Sequence, residues 1–149
     1  MAPAAFDVHI RKKDLAAFRR RVLYHYRKKP KHEYMEVIFV RKGVGEFHIE
    51  SFHKIRMTNT SPYIVEYDEV QYQAYKNEAA AAGLSLGSIH THTVSDTSAS
   101  YHDHCTGVEE GDTLMGICGV DEVKGTKKLT TKLDFWIPQL PCKINQITD

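Results

Sequence analysis

A short segment past the middle of the chain concentrates residues that bind metal ions. His90 and His92 are separated by one residue, and Ser100 and Asp103 follow after a gap of seven residues. Two imidazoles and a carboxylate are a ligand set that zinc uses when a fourth position stays open to water. A zinc ion held in this way activates water near neutral pH, so the segment predicts a hydrolase.

The elements expected around this segment bring the four residues together. Residues 84–91 are predicted to form a buried strand, and residues two apart on a strand face the same side, so His90 and His92 converge. Residues 95–98 offer several helix N-cap candidates, and a helix that follows them places Ser100 and Asp103 on one face. Any one histidine of the nine in the chain is more commonly structural or solvated, so the prediction depends on the joint pattern.

These residues match the metal motif of the JAMM-type (MPN-plus) zinc metalloproteases, which is an upstream Glu, His-x-His, seven residues, Ser, two residues and Asp. The resemblance extends over most of the chain, because the expected helices and strands follow in the order of that family. It implies an α+β fold, with a single MPN/JAMM-like (cytidine-deaminase-like) domain and a central mixed sheet flanked by helices. It further implies that His90, His92 and Asp103 bind Zn²⁺ and that Ser100 stabilises the developing oxyanion.

The resemblance also implies a glutamate that takes a proton from the attacking water and passes it to the leaving amine. Glu33 fits this role best, because it precedes an aromatic residue where a helix gives way to the first strand of the motif. Glu36 is the rival for the role. Either residue would otherwise be a carboxylate at a strand edge, and Glu36 would then lie at the surface or pair with a lysine.

The chain departs from the family pattern at three places. Thr93 and Ala99 stand where many relatives have proline, although both can adopt the same backbone conformation. The glycine-containing motif that commonly follows the Glu is missing, which weakens the alignment around Glu33 but not at the metal motif. His104 lies next to Asp103, where it is a candidate to contact the metal site or to compete as a ligand.

Composition indicates one soluble domain. The chain has 149 residues, of which 42% are hydrophobic and 26% charged, so we expect a single domain over residues 1–149 with residues 1–13 as a flexible N-terminus. Three widely spaced cysteines argue against a disulfide framework, and the N-terminus lacks the pattern of a signal peptide. With no apolar run of membrane-spanning length, these features predict a cytoplasmic protein.

The near-neutral net charge conceals an uneven distribution. Residues 1–31 carry an excess of eight positive charges, and the rest of the chain an excess of seven negative charges. The basic part could meet nucleic acid or an acidic partner, but a solvated helix face is the favoured interpretation. Apolar residues recur there at helical spacing, among them Phe18, Val22 and Tyr26, and are predicted to pack inward.

Periodicity and turn residues predict the remaining elements. We expect helices at 14–27, started by Asp14, and at 68–82, capped by Asp68 and ended by Gly83. Strands are expected at 34–40, 46–52, 113–123 and 129–137, with a meander near 53–58. Pro138 and Pro141 are expected to end regular structure.

The predicted function is therefore zinc-dependent hydrolysis of a peptide or isopeptide bond. By resemblance to compact prokaryotic and phage members, the substrate could be the C-terminal tail of a ubiquitin-like protein, as for a deubiquitinase or desampylase. One alternative is a RadC-like protein associated with nucleic acid, which the basic N-terminal helix favours. Another is a non-catalytic MPN scaffold subunit. The substrate and the oligomeric state stay open.

Overall fold

The computed structural model describes residues 6–28, 32–61, 65–93, 103, 106, 110–123, 125–126, 128–138, 142–144 and 147–148. These residues form a mixed sheet and two helices, so the predicted α+β class is confirmed. In chain order the elements are β1 (Asp7–His9), α1 (Lys12–Lys28), β2 (Met35–Gly43), β3 (Glu46–Lys54), β4 (Met57–Thr60), β5 (Val65–Tyr67), α2 (Glu69–Ala81), β6 (Ser85–His92), β7 (Met115–Glu122), β8 (Leu129–Ile137), β9 (Cys142–Ile144) and β10 (Ile147–Thr148).

Eight of the strands form one sheet in the order β10-β1-β3-β2-β6-β7-β8-β9, while β4 and β5 pair separately. β2 lies antiparallel to both β3 and β6, and β6 continues in parallel with β7. β2 and β6 are therefore interior strands whose backbone groups are bonded on both sides. The interior position explains why both carry near-continuous buried residues.

The two helices cover opposite faces of this sheet. Met35, Val37 and Phe39 of β2 belong to the apolar cluster that contains Tyr72 of α2. The alternate residues of the same strand, such as Ile38, belong to the cluster that contains the buried residues of α1. Because successive side chains of a strand point to opposite faces, β2 supplies the core of both layers.

Helix α1 packs as its periodicity predicts but begins earlier than expected. Phe18, Val22 and Tyr26 are its buried residues. The helix begins at Lys12, and Leu15 N already donates to the carbonyl of Arg11 at 3.0 Å, so the prediction that Asp14 starts it was wrong. The helix dipole favours acidic residues anywhere in the first turn of a helix. Asp14 therefore indicates the first turn of α1 but not the residue at which the helix begins.

Helix α2 ends where the sequence predicts. Asp68 is its N-cap and accepts a hydrogen bond from Gln71 N at 3.0 Å. Gly83 follows the helix with a φ of 74°, in the left-handed region that a C-terminal stop requires. The Gln71 side chain does not return to the cap, because its Oε1 accepts from Arg56 N at 2.5 Å. The first turn of α2 is thereby bonded to Arg56, the residue that precedes β4.

The ends of the chain were predicted least well. The expectation that Pro138 and Pro141 end regular structure was wrong, because β9 pairs with β8, and β10 pairs in parallel with β1. Residues 7–9, assigned in advance to a flexible terminus, form β1 between β10 and β3. Strands of two or three residues carry no readable alternation, and they form here because their partners are already in place.

Neither helix in the part of the chain that the structure describes has the length and apolar character needed to cross a membrane.

Candidate metal centre

His90 and His92 lie at the end of β6. His90 is paired with Met35 of β2 and with Ile117 of β7, so the strand is fixed on both sides at this point. Residues two apart share a face, and the two imidazoles have centroids 5.2 Å apart. The sheet therefore presents both rings toward the α2 side, as the sequence predicts for a converging pair.

Asp103 brings its carboxylate to both imidazoles. Its Oδ1 lies 3.2 Å from His90 Nε2, and its Oδ2 lies 3.3 Å from His92 Nε2. Ligand atoms of the three side chains all lie within 4.8 Å of one another. Two ligand atoms of a tetrahedral zinc ion with bonds of 2.0–2.1 Å are separated by about 3.3 Å, so the spacing suits such an ion.

The surroundings of His90 supply an independent test of whether a cation fits. The residue is 6% exposed, and its Nε2 is buried without a hydrogen-bond partner among the described residues, although Asp103 is close. A buried polar atom without a partner costs free energy, and the groups next to this one are a second imidazole and a carboxylate. A cation bound between the three groups would use this nitrogen as a ligand, so the residues present fit a metal ion.

Backbone bonds hold Glu33 beside this group. Its own N–H donates to the carbonyl of Ser61 at 2.9 Å. At the next residue, Tyr34 N donates to Thr91 Oγ1 at 2.8 Å, while Thr91 N donates to the carbonyl of Tyr34 at 2.8 Å. Thr91 lies between the two histidines, so this clamp ties Glu33 to the metal-binding end of β6. Sequence reasoning missed Thr91, and its only signal is its place within His-x-His.

The environment of Glu33 suits a group that exchanges protons near neutral pH. Only 5% of the residue is exposed, and burial raises the pKa of its carboxyl to about 7. His90 and His92 oppose this rise and Asp103 adds to it, but the loss of solvation is the largest cause. A general base is most effective when its pKa lies near the working pH, which Glu33 satisfies in the metal-free protein.

Glu36, the rival for the role of base, lies on the other face of β2. It accepts two bonds from Arg21, with Nε at 2.7 Å from Oε2 and Nη2 at 2.9 Å from Oε1, and a third from the Tyr34 hydroxyl at 2.5 Å. The prediction of a surface carboxylate or a lysine partner was wrong, because Glu36 is fully buried and its partner is an arginine. Glu33, and not Glu36, therefore lies beside His90, where the two residues line a common cleft.

A narrow cleft opens beside the group and contains about 40 Å³, which is room for only a few water molecules. Its described lining combines apolar side chains with the candidate base and two of the candidate ligands: Glu33, Met35, Val65, Tyr67, Ser88, His90, Asp103, Thr106, Asp112 and Met115.

Asp112 lines this cleft and is itself buried. It accepts hydrogen bonds from the Tyr72 hydroxyl and from Ser88 Oγ, the latter at 2.8 Å, and thereby joins α2 to β6. Burial raises the pKa of Asp112 to about 7, against the opposing effect of both bonds. Sequence reasoning did not select Asp112, because it lies outside the metal motif.

Some of the predicted site residues lie outside the part of the chain that the structure describes. They are Ser100 and His104. The structure thus brings together Glu33, His90, His92 and Asp103. Elsewhere on the sheet it also gathers His9, Glu46 and His48 into a second group that could hold an ion.

Comparison with known proteins shows the fold and no more. No protein-family model matches the chain, and no curated protein matches it in sequence. The chain is similar to the solution structure of protein DSY2949 from Desulfitobacterium hafniense, with a TM-score of 0.61, 15% identity, and coverage of 94% of this chain and 90% of that one. A JAB1/MPN domain protein from Archaeoglobus fulgidus also aligns, with a TM-score of 0.47, 7% identity, and coverage of 99% and 100%. The second likeness is too distant to carry an argument.

Proposed function

We propose that this protein is a zinc-dependent hydrolase of the JAMM-like kind that cleaves a peptide or isopeptide bond. The observation that carries the proposal is the convergence of His90, His92 and Asp103 beside the buried carboxyl of Glu33. A structural site would not need a group that exchanges protons near neutral pH at its edge. Hydrolysis requires such a group next to the metal ligands.

His90, His92 and Asp103 hold the ion in this proposal. Zinc, when bound, supplies the Lewis acid that makes water nucleophilic near neutral pH. Glu33 takes a proton from the attacking water through its carboxylate and returns it to the leaving amine. The Ser100 hydroxyl donates to the developing oxyanion, as the family motif implies, a contribution of about 3 kcal/mol where such donors are preorganised.

The cleft favours a slender, extended substrate. Its volume of about 40 Å³ leaves no room for a large side chain next to the ligands, and Met35, Val65 and Met115 give it an apolar wall. A flexible tail with small residues at the scissile bond meets these limits better than a folded surface loop. We therefore propose the C-terminal tail of a ubiquitin-like protein as the substrate class.

Zinc uptake of the wild type and of Asp103→Ala tests the metal centre. We expect the variant to bind about one zinc ion per chain fewer than the wild type, with Asp121→Ala as the control for loss of an exposed carboxylate. Unchanged uptake in Asp103→Ala would overturn the metal centre. A wild type that takes up no zinc would favour the non-catalytic scaffold.

Cleavage assays with Glu33→Gln test the chemistry separately. The substrates are fusions in which a reporter follows the tail of a ubiquitin-like protein. We expect Glu33→Gln to retain its zinc and to lose cleavage by at least about 100-fold, the usual contribution of a general base. A variant that cleaves as fast as the wild type would refute the assignment of Glu33. Glu66→Gln, at an exposed position of β5, is the matched control.

Association with nucleic acid is a second candidate, favoured by a basic cleft of about 490 Å³ along α1. Arg20, Lys28 and Lys54 line it, together with Tyr24, which is 61% exposed and has the Lys28 ammonium 4.8 Å from its ring centroid. In proteins that bind single-stranded nucleic acid, exposed aromatic rings stack on the bases and the cations around them neutralise the phosphates. Binding of an oligonucleotide that weakens steeply with salt, and is lost in Lys28→Ala, would support this candidate.

A further inference from the structure

Two histidines meet across neighbouring strands at the far end of the sheet from the candidate metal centre. His9 of β1 and His48 of β3 are direct partners in the parallel pairing of these strands. Their neighbours Val8 and Phe47 belong to the apolar core on the α1 side. Because side chains alternate, His9 and His48 lie on the opposite face of the sheet, where their rings stack with centroids 4.5 Å apart and planes 11° apart.

Glu46 completes a group of three ligands. It lies two residues before His48 and therefore on the same face of β3. Its Oε2 is 3.1 Å from His9 Nε2 and its Oε1 is 3.0 Å from His48 Nε2, so one carboxylate spans both rings. Two imidazole nitrogens and a carboxylate form the His₂Glu set that zinc accepts with a fourth position open.

The His48 nitrogen lies close to Glu46 but is not aligned with it for a hydrogen bond. His9 Nε2 has hydrogen-bond geometry to Glu46, whereas His48 Nε2 is buried and lacks a partner with that geometry among the described residues, despite its 3.0 Å distance. The same pattern occurs in the candidate metal centre, where His92 is aligned with Asp103 and His90 is not. In both groups a cation between the ligand atoms would use the unaligned nitrogen.

Gly43 makes the position of the carboxylate possible. It is paired with Glu46 across the β2–β3 turn. A Cβ at Gly43 would lie 2.7 Å from Glu46 Cγ and 2.9 Å from its Oε1, closer than real Cβ atoms approach. The Glu46 side chain therefore folds over a bare backbone toward the two histidines, and a larger residue at 43 would displace it.

The positive charges nearby already have anionic partners. Arg11 donates to Asp14 at 2.7 Å, and Arg41 donates to Glu50 at 2.8 Å. Both arginines line an open cleft of about 260 Å³ that also contains His9 and His48. The cleft gives an ion a path from solvent and leaves space for a water molecule as a fourth ligand.

We propose that His9, Glu46 and His48 bind a second zinc ion, which fastens the three-residue strand β1 to β3. Such a link suits this position, since β1 is short and leads directly into α1. The site is independent of the proposed hydrolase activity. β2 separates the two groups, with Met35 beside His90 at one end and Arg41 beside His48 at the other, roughly 20 Å apart along the strand.

Zinc titration against a chromogenic chelator in the Asp103→Ala background isolates the second site. We expect that variant to take up about one zinc ion per chain and to gain about 5–10 °C in Tm at a zinc concentration near 100 times the Kd. Addition of His48→Gln in the same background should abolish both effects. His53→Gln, on the same strand but outside the group, is the control and should preserve them.

A second variant keeps the test valid should loss of a ligand harm folding. Gly43→Ala leaves all three ligands in place and displaces only the carboxylate, so zinc affinity in the Asp103→Ala background should fall by at least about 10-fold. The proposal is overturned if the Asp103→Ala protein takes up no zinc, or if uptake persists unchanged in His48→Gln. Neither result changes the expected loss of one zinc ion between the wild type and Asp103→Ala. The two proposals can therefore fail independently.

Discussion

Replacement of Glu33 by glutamine should stabilise the metal-free protein above neutral pH. Glu33 is 5% exposed and burial raises its pKa from 4.5 to about 7. The folded state therefore holds a proton that the unfolded chain has already released at pH 6. Glutamine has nearly the same shape but no charge to bury, so it avoids the cost that the ionised carboxylate imposes on the folded state.

The size of this stability difference and the pH range in which it appears follow from the pKa shift of Glu33. A rise of about 2.5 pKa units corresponds to about 3 kcal/mol, which we reduce to about 2 kcal/mol because solvent in the cleft screens the charge. Because the pKa is raised in the folded state, the stabilisation that Glu33 contributes is fully present below pH 4.5 and is lost as the pH rises to about 7. Below pH 4.5 the two proteins should be similar, and above pH 7 Glu33→Gln should be more stable by about 2 kcal/mol.

Urea unfolding at intervals from pH 4.5 to 8.5, with a chelator present, measures this difference. The midpoint for Glu33→Gln should exceed that of the wild type at pH 8 and approach it at the acidic end, with an unchanged m-value. Glu66→Gln removes an exposed carboxylate and corrects for the loss of one charge. Saturation with zinc should narrow the difference, because a nearby cation favours the ionised carboxylate of the wild type.

If Glu33→Gln and the wild type unfold at the same urea concentration at both pH 5 and pH 8 without metal, the carboxylate is not desolvated in the folded protein. Its role as a base tuned by burial would then be wrong, whatever its effect on cleavage.

Three further changes test how the site is held. Arg21→Met should lower the free energy of unfolding by about 3–5 kcal/mol, because it leaves the Glu36 carboxylate buried without its cation. Asp112→Ala should cost about 2 kcal/mol or more at pH 6, because it leaves two buried hydroxyls without an acceptor. Gly87→Ala should cost about 1–3 kcal/mol, because its Cβ would collide with the Leu114 carbonyl beside β6. Urea unfolding measures all three.

Matched substitutions distinguish the loss of each named contact from nonspecific destabilisation of the fold. Arg20→Met removes an exposed arginine from the same helix and should change stability by less than about 0.5 kcal/mol. Asp112→Asn keeps an acceptor in place and should cost less than Asp112→Ala. Equal losses in the members of either pair, or an unchanged urea midpoint in Gly87→Ala, would contradict the contact named for that residue.

Local patterns predicted the main body of the fold. The core strands β2 and β6 were placed to within a few residues because they are long and apolar, and α2 because Asp68 and Gly83 mark its ends. The N- and C-terminal strands were missed, since β1 and β10 are short and pair with each other across almost the whole chain. Such pairing depends on the finished sheet and has no local signal.

The candidate site shows the same division. His90 and His92 could be assigned to one face from strand periodicity, and the motif supplied Asp103 and Glu33. The choice against Glu36 became clear only with Arg21, fifteen residues earlier, whose guanidinium reaches the buried carboxylate. The second ligand group could not be predicted, because the local signal in Glu46-x-His48 lacks its third member until β1 pairs with β3.

The register of β2 connects the basic helix to the candidate base. Glu33 and Glu36 are three residues apart, so they point to opposite faces, one toward the cleft and the other toward α1. A slip of one residue would exchange the two faces and separate the Glu36 carboxylate from Arg21. The two bonds from Arg21 to Glu36 favour the observed register, while the Tyr34–Thr91 bonds fix it against β6. We therefore infer that Arg21, although on the far side of the sheet, positions Glu33 by holding the strand that follows it.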